Sequence, residues 1–148
     1  MNKNYIKPLL YIAGAVEILV GLLHFFMMNF VLQSRGFSSL SSIESEFVAL
    51  IVYCVGILLI AFGLLTFYFG KNSEKLVQGL YYYLFIKIIL WGSRVVLEII
   101  YPVNIQMFFI EPFTKVVFPG LIIEFLLFLF IFIKVKKKNL KEFEIKMI

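Results

Sequence analysis

The segment KLVQGLYYYLFIKIILWGSRVVLEIIY, residues 75–101, decides the fold of this chain. It is long enough to cross the roughly 30 Å hydrocarbon core of a membrane as a helix. It nevertheless carries Lys87, Arg94 and Glu98. A charge at the bilayer centre costs at least about 2.5–3.5 kcal/mol on insertion scales. Such a helix must turn its charges towards other helices, which predicts a bundle embedded in a membrane.

The polar side chains of this segment share one helical face. Lys87, Trp91, Arg94 and Glu98 follow one another at intervals of four, three and four residues, which is the spacing of neighbours on one face. Arg94 and Glu98 could also simply neutralise each other as an i, i+4 pair. A functional site and a structural pair therefore both fit this pattern.

Composition supports the membrane assignment. Hydrophobic residues make up 62% of the 148 residues, and the mean hydropathy is +0.99. Ordinary soluble domains are about 45–50% apolar. We predict an all-α integral membrane four-helix bundle, a single domain with spans at about 8–32, 45–69, 75–101 and 112–133 and a basic tail at 134–148. Ser41 and Glu44 have capping-box spacing at the start of the second helix, and Gly70 is expected to end it.

The other predicted spans also carry ionisable groups. Glu17 and His24 lie seven residues apart on one face of the first span, and Glu124 lies in the fourth. Helix rise places Glu17, Lys87 and Glu124 near mid-membrane and His24, Arg94 and Glu98 in one outer half. Small residues at the same sevenfold spacing predict close helix contact; they are Gly14 and Gly21 in the first span and Gly56 and Gly63 in the second.

Basic residues predict the orientation. Lysine and arginine are enriched on the cytoplasmic side of membrane proteins. Arg35 and Lys115 fall on one predicted side. The opposite, cytoplasmic side would hold both termini and the lysines at positions 3, 7, 71, 75, 134, 136, 137, 138, 141 and 146. The net charge of +5 is thus explained by topology rather than by nucleic-acid binding, and we predict a multi-pass protein of the cell membrane.

Residue counts exclude several kinds of site. The chain has no aspartate and one cysteine, Cys54, which excludes an intrachain disulfide, a CxxC redox pair and a cysteine-built metal site. Cys54 is expected to be a small buried residue. Ser93 is a poor nucleophile candidate because it lies off the polar face, so the catalytic residues, if any, stay unknown and the sequence does not decide whether the protein is an enzyme.

Two groups of residues are candidate sites. His24, Trp91, Arg94 and Glu98 are predicted to form a ligand-binding pocket in the outer half, covered by the apolar connection at about 101–113. Arg94 would hold an anionic or carbonyl group through its planar fork, and His24 would exchange a proton. The second group, at mid-membrane, would be a proton relay or a structural ion pair; it consists of Glu17, Lys87 and Glu124.

Cofactor alternatives differ in how well they fit. A quinone suits an amphipathic pocket of this kind. Haem fits poorly, because bis-histidine ligation would need a second subunit to supply a partner for His24. Glu17, His24, Glu98 and Glu124 could offer metal ligands, but the Glu-x-x-His pair of di-iron bundles is absent, so we predict no metal.

The chain resembles the DoxX-like group of small four-helix membrane proteins. The likeness lies in its length, its four predicted spans, the segment Gly21-Leu22-Leu23-His24-Phe25 and the Pro119-Gly120 pair in the fourth span. This resemblance implies a quinone or lipid partner, since members of the group are linked to quinone-coupled oxidation. Arg94 and Glu98 match no motif of that group.

Three functions follow from these patterns. The first is binding of an amphipathic small molecule, quinone or lipid-like; a redox or transport complex that contains this chain as a subunit, or a homo-oligomer, is compatible with it. The second is a proton-coupled transporter or channel subunit that uses the mid-membrane charges. The third is a structural or assembly subunit, in which the charges only set helix pairing.

Overall fold

The structure, a computed structural model, describes residues 5–33, 41–102 and 114–147, and their side chains at 5–26, 41–102, 115 and 117–137. These residues form four α-helices, so the predicted all-helical architecture is confirmed. The predicted apolar cover at 103–113 and the segment around Arg35 lie outside the described residues. The helices are α1 (Ile6–Gln33), α2 (Ser42–Lys71), α3 (Val77–Ile100) and α4 (Thr114–Met147).

The composition of the helices indicates a membrane protein. Three stretches are long and apolar enough to cross a membrane, namely Ile6–Phe26, Ser42–Lys71 and Val117–Lys137. Among the described residues α3 is not one of these stretches; it carries Lys87, Arg94 and Glu98. Large apolar side chains such as Ile57 are more than half exposed around the bundle. A surface of this kind suits hydrocarbon better than water.

The ends of α2 follow their local chemistry. The predicted capping box is confirmed: Glu44 accepts the backbone N–H of Ser41 at 2.8 Å, and the Ser41 hydroxyl accepts the backbone N–H of Glu44 at 3.4 Å. The helix ends at Lys71, two residues beyond the predicted end of the span, and Asn72 caps it by donating its backbone N–H to the Tyr68 carbonyl oxygen. Gly70 is buried inside the helix instead of ending it.

The last helix is longer than the predicted fourth span. α4 continues without a break from the apolar stretch through the basic residues to Met147. Lysine, glutamate and leucine are strong helix formers, and neither proline nor glycine follows Gly120 in the chain. Pro119 lies inside the second turn, where its missing N–H removes one hydrogen bond near the helix start.

Glycines bring α1 and α2 into backbone contact. A Cβ added to Gly21 would lie 2.7 Å from the carbonyl oxygen of Gly56, and one added to Gly56 would lie 3.0 Å from that of Gly21. Gly14 and Gly63 repeat this approach two turns away. A Cβ added to Gly14 would lie 2.9 Å from the Gly63 carbonyl oxygen, and one added to Gly63 would lie 2.7 Å from that of Gly14. The predicted glycine contact is therefore confirmed, and α1 and α2 form the most extensive helix pair of the described bundle.

The third and fourth helices form the other half of the bundle. α3 packs on α4, and α1 touches α4 less extensively. Fully buried leucine and phenylalanine, including Leu84 and Phe128, form the core between them.

The prediction for Cys54 was wrong: it is exposed, because it lies about 200° around α2 from the buried Gly56.

Candidate functional site

An ion pair joins the first and third helices in the middle of the bundle. Lys87 Nζ on α3 contacts Glu17 Oε1 on α1, and both side chains are 0% exposed. Buried charges need such pairing, because an ion without a partner pays its full desolvation cost. The sequence pattern proposed Glu17 or Glu124 as the partner of Lys87, and the contact in the structure is to Glu17.

The second oxygen of Glu17 binds the α2 helix. The Thr66 hydroxyl donates to Glu17 Oε2 at 2.8 Å. Tyr83 of α3 lies 2.6 Å from the same hydroxyl and also donates to the Phe62 carbonyl oxygen at 2.9 Å. Each hydroxyl has one proton to donate, so when Thr66 donates to Glu17 the single Tyr83 proton is shared between the Thr66 oxygen and the Phe62 carbonyl oxygen. The carboxylate thereby joins three helices.

Trp91 completes the surroundings of Glu17. Its indole N–H donates to Glu17 Oε1 at 3.3 Å, and its side chain is buried. The structure thus places Trp91 with the buried ion pair of Lys87 and Glu17, one turn along α3 from Lys87, through the one polar atom of its ring. The sequence pattern assigns Trp91 to the predicted outer pocket together with His24 and Arg94.

Aromatic rings surround the ammonium group of Lys87. The ring centroids of Phe62 and Phe128 lie 4.6 and 5.0 Å from Nζ, and those of Trp91 and Tyr83 lie 5.7 and 6.0 Å away. A cation within about 6 Å of a ring is attracted by the ring quadrupole, and the attraction grows when water is excluded. All four helices therefore meet at this one ammonium group.

A second carboxylate lies close to this cluster. Glu124 on α4 is 4% exposed, and it interacts electrostatically with Lys87. Its Oε1 has no hydrogen-bond partner among the described residues. Ionised Glu17 and Lys87 cancel each other, so the cluster is neutral when Glu124 carries a proton and has a charge of −1 when it does not.

Among the other predicted outer residues, His24 has contacts on its own helix and on α2, whereas Arg94 and Glu98 contact each other on α3. His24 Nδ1 lies 2.7 Å from the Val20 carbonyl oxygen of its own helix, and its Cβ packs at Gly56 of α2. On α3, Arg94 Nη2 lies 2.7 Å from Glu98 Oε2. The single pocket proposed for His24, Trp91, Arg94 and Glu98 stays a prediction.

Residues that the sequence patterns did not single out complete the cluster. Thr66 lies three residues after Gly63, on the buried stripe of α2. Its hydroxyl on the same face as the glycines was the feature of the sequence that could have identified it as part of a buried polar site. Phe62, Tyr83 and Phe128 look like ordinary apolar packing until the position of Lys87 is known. In the described part of the chain, no three His, Cys, Asp or Glu side chains gather as metal ligands would.

Comparisons with protein-family models, with curated proteins and with solved structures give no match for this chain.

Proposed function

We propose that this chain is a proton-coupled transporter or channel subunit in which Glu124 binds and releases a proton. The observation that supports this function is the pairing at Lys87: one carboxylate, Glu17, is in contact with the ammonium, while a second, Glu124, is buried nearby with an oxygen that has no hydrogen-bond partner in the described residues.

A purely structural role would not need this second carboxylate. One glutamate neutralises one lysine, and an additional buried charge is costly in a membrane. A proton on Glu124 makes the cluster neutral, whereas its loss creates a second anion that competes with Glu17 for Lys87. Lys87 can then pair with either Glu17 or Glu124, and a transport cycle can use two alternative states of this kind.

The proposed placement includes α3 as a fourth membrane-crossing helix. Its 24 residues span about 36 Å at 1.5 Å per residue. Lys87 and Glu98 are buried inside the bundle rather than exposed on its surface. The lysine distribution supports cytoplasmic termini in the cell membrane. The resemblance to DoxX-like proteins favours a quinone as the first small molecule to test for binding to this chain.

Infrared difference spectroscopy can test the proton site directly. Protein in lipid vesicles is titrated from acid to neutral pH, and the carbonyl stretch of a protonated carboxylic acid is followed. We expect the titrating band in the parent protein and its loss in Glu124→Gln. The matched control is Glu46→Gln, which removes an exposed carboxylate of α2 and should leave the band in place.

Proton movement is measured separately, in vesicles that contain a pH-sensitive dye and carry an imposed membrane potential. We expect faster acidification than in protein-free vesicles, and a return towards the protein-free rate in Glu124→Gln. If Glu124→Gln behaves as the parent in both the infrared and the dye experiments, the proton-coupled function is wrong and a structural role for the cluster is favoured.

A further inference from the structure

A second charged group of α3 lies outside the cluster around Lys87. Arg94 is on the same helical face as Trp91 and Glu98, both of which are buried. Its own side chain is 37% exposed, whereas that of its partner Glu98 is 0% exposed. The buried stripe of α3 is thus open at Arg94, where the guanidinium reaches the surface of the bundle.

The guanidinium keeps hydrogen-bonding capacity in this position. Its contact with Glu98 Oε2 at 2.7 Å involves Nη2, and an arginine has five N–H donors in a planar fork. Glu98 is the charged partner of Arg94 in the described part of the chain. The buried carboxylate therefore orients the fork while other donors remain available to an anion.

Glu98 also determines the direction of the guanidinium. Side chains on a helix lean towards its N-terminus, but Glu98 lies one turn nearer the C-terminal end of α3 and draws the Arg94 fork that way. Arg94 is six residues before Ile100, the last residue of the helix, which is about 9 Å along the axis. An arginine at this depth can reach the headgroup level of a bilayer.

The surface between Arg94 and the end of the helix is apolar. Leu97 and Tyr101 are both exposed, and they lie three and seven residues after Arg94, on the same side of the helix. Tyrosine is enriched at the membrane interface. A cation beside exposed apolar side chains near that interface matches the two parts of a phospholipid, an anionic phosphate and an acyl chain.

We infer that Arg94 binds the phosphate of an anionic phospholipid of the surrounding bilayer, with Glu98 as the positioning residue and the acyl chain along Leu97. Planar guanidinium groups bind phosphate with two parallel hydrogen bonds. This inference rests on the proposed membrane crossing of α3 but not on proton exchange at Glu124.

Spin-labelled lipids provide the test. The protein is reconstituted in vesicles that contain labelled phosphatidylglycerol or labelled phosphatidylcholine, and the motionally restricted fraction of each is measured. We expect the parent to prefer phosphatidylglycerol and Arg94→Gln to lower that preference by about fivefold or more, since hydrogen bonds to charged groups contribute strongly to binding. Arg94→Lys should fall between them, because it keeps the charge without the fork.

Lys115→Gln is the matched control. Lys115 is an exposed cation in the first turn of α4, and its removal should leave the lipid preference within about twofold of the parent. Glu98→Gln should weaken the preference by misplacing the fork. Glu124→Gln should not change it, so that failure of the lipid site and failure of the proton site can be told apart.

Three results would overturn the lipid site. The first is an unchanged preference in Arg94→Gln and Arg94→Lys when both remain folded. The second is an equal loss of the phosphatidylglycerol preference in Lys115→Gln, which would indicate a general electrostatic attraction of exposed cations for anionic lipid. The third is full displacement of labelled phosphatidylglycerol by inorganic phosphate, which would indicate a free-phosphate site instead.

Discussion

Thr66 donates its hydroxyl proton to Glu17 Oε2 at 2.8 Å, so that the carboxylate paired with Lys87 is also bound to the second helix. The same glutamate accepts Lys87 and Trp91 on its other oxygen. Three helices thus depend on one side chain. Interactions in such a network are strengthened by the low dielectric around them, and the loss of one member leaves the others incompletely bonded.

Lys87→Met should destabilise the bundle strongly. It leaves the Glu17 carboxylate buried without its cation, and breaking a buried pair from one side costs about 3–5 kcal/mol. The free energy of unfolding in mixed detergent micelles measures the loss. Lys75→Met, at an exposed lysine, should change it by less than about 0.5 kcal/mol.

The double variant Glu17→Gln with Lys87→Met should be more stable than Lys87→Met alone, because no unpaired charge remains. Coupling between residues in contact is typically about 0.5–3 kcal/mol. A strictly additive double variant would show that the two charges do not support each other in the folded protein.

Thr66→Val should lower the free energy of unfolding by about 1–3 kcal/mol, because it removes the donor to Glu17 while nearly preserving the side-chain shape. Thr66→Ser keeps the hydroxyl and serves as the control, with a smaller effect that reflects one lost methyl group. Equal stability of Thr66→Val and the parent would show that the hydroxyl is not required by the carboxylate.

Gly21→Ala should separate α1 from α2. Its new methyl group would lie 2.7 Å from the Gly56 carbonyl oxygen, and overpacking of this kind costs about 1–3 kcal/mol. Gly120→Ala is the control, since nothing lies within 4 Å of its added Cβ; there the gain in helix propensity should stabilise by about 0.5–1 kcal/mol. Thermal unfolding followed by circular dichroism distinguishes the two, and a stabilised Gly21→Ala would contradict the close backbone approach.

Orientation can be tested by cysteine labelling from either side of the membrane. The background is Cys54→Ala, because Cys54 is exposed. Cysteines at Asn72 and Lys137 should react with an impermeant reagent only when the cytoplasmic side is open, and a cysteine at Lys115 should react from outside. The reverse pattern would invert the topology and place Arg94 in the opposite leaflet.

The spacing of charges in 75–101 was enough to predict that α3 faces other helices. The capping box of Ser41 and Glu44 and the glycine contact between α1 and α2 also follow from short patterns, and the structure confirms both. The exposure of Cys54 did not follow from the sequence, because composition does not determine which face of a helix contacts a neighbour. The continuation of α4 through the basic residues did not follow either, because composition does not determine where a run of strong helix formers ends.

The sequence by itself determined that this is a helical protein with ionisable groups at set positions along its helices, since helical rise and hydropathy depend only on residue order. Only the tertiary structure decided how those groups are paired. Lys87 contacts Glu17 rather than Glu124, and the indole N–H of Trp91 also bonds to Glu17. Residues at equal depth on different helices are interchangeable in the sequence pattern, and the rotation and packing of the helices decide which of them meet.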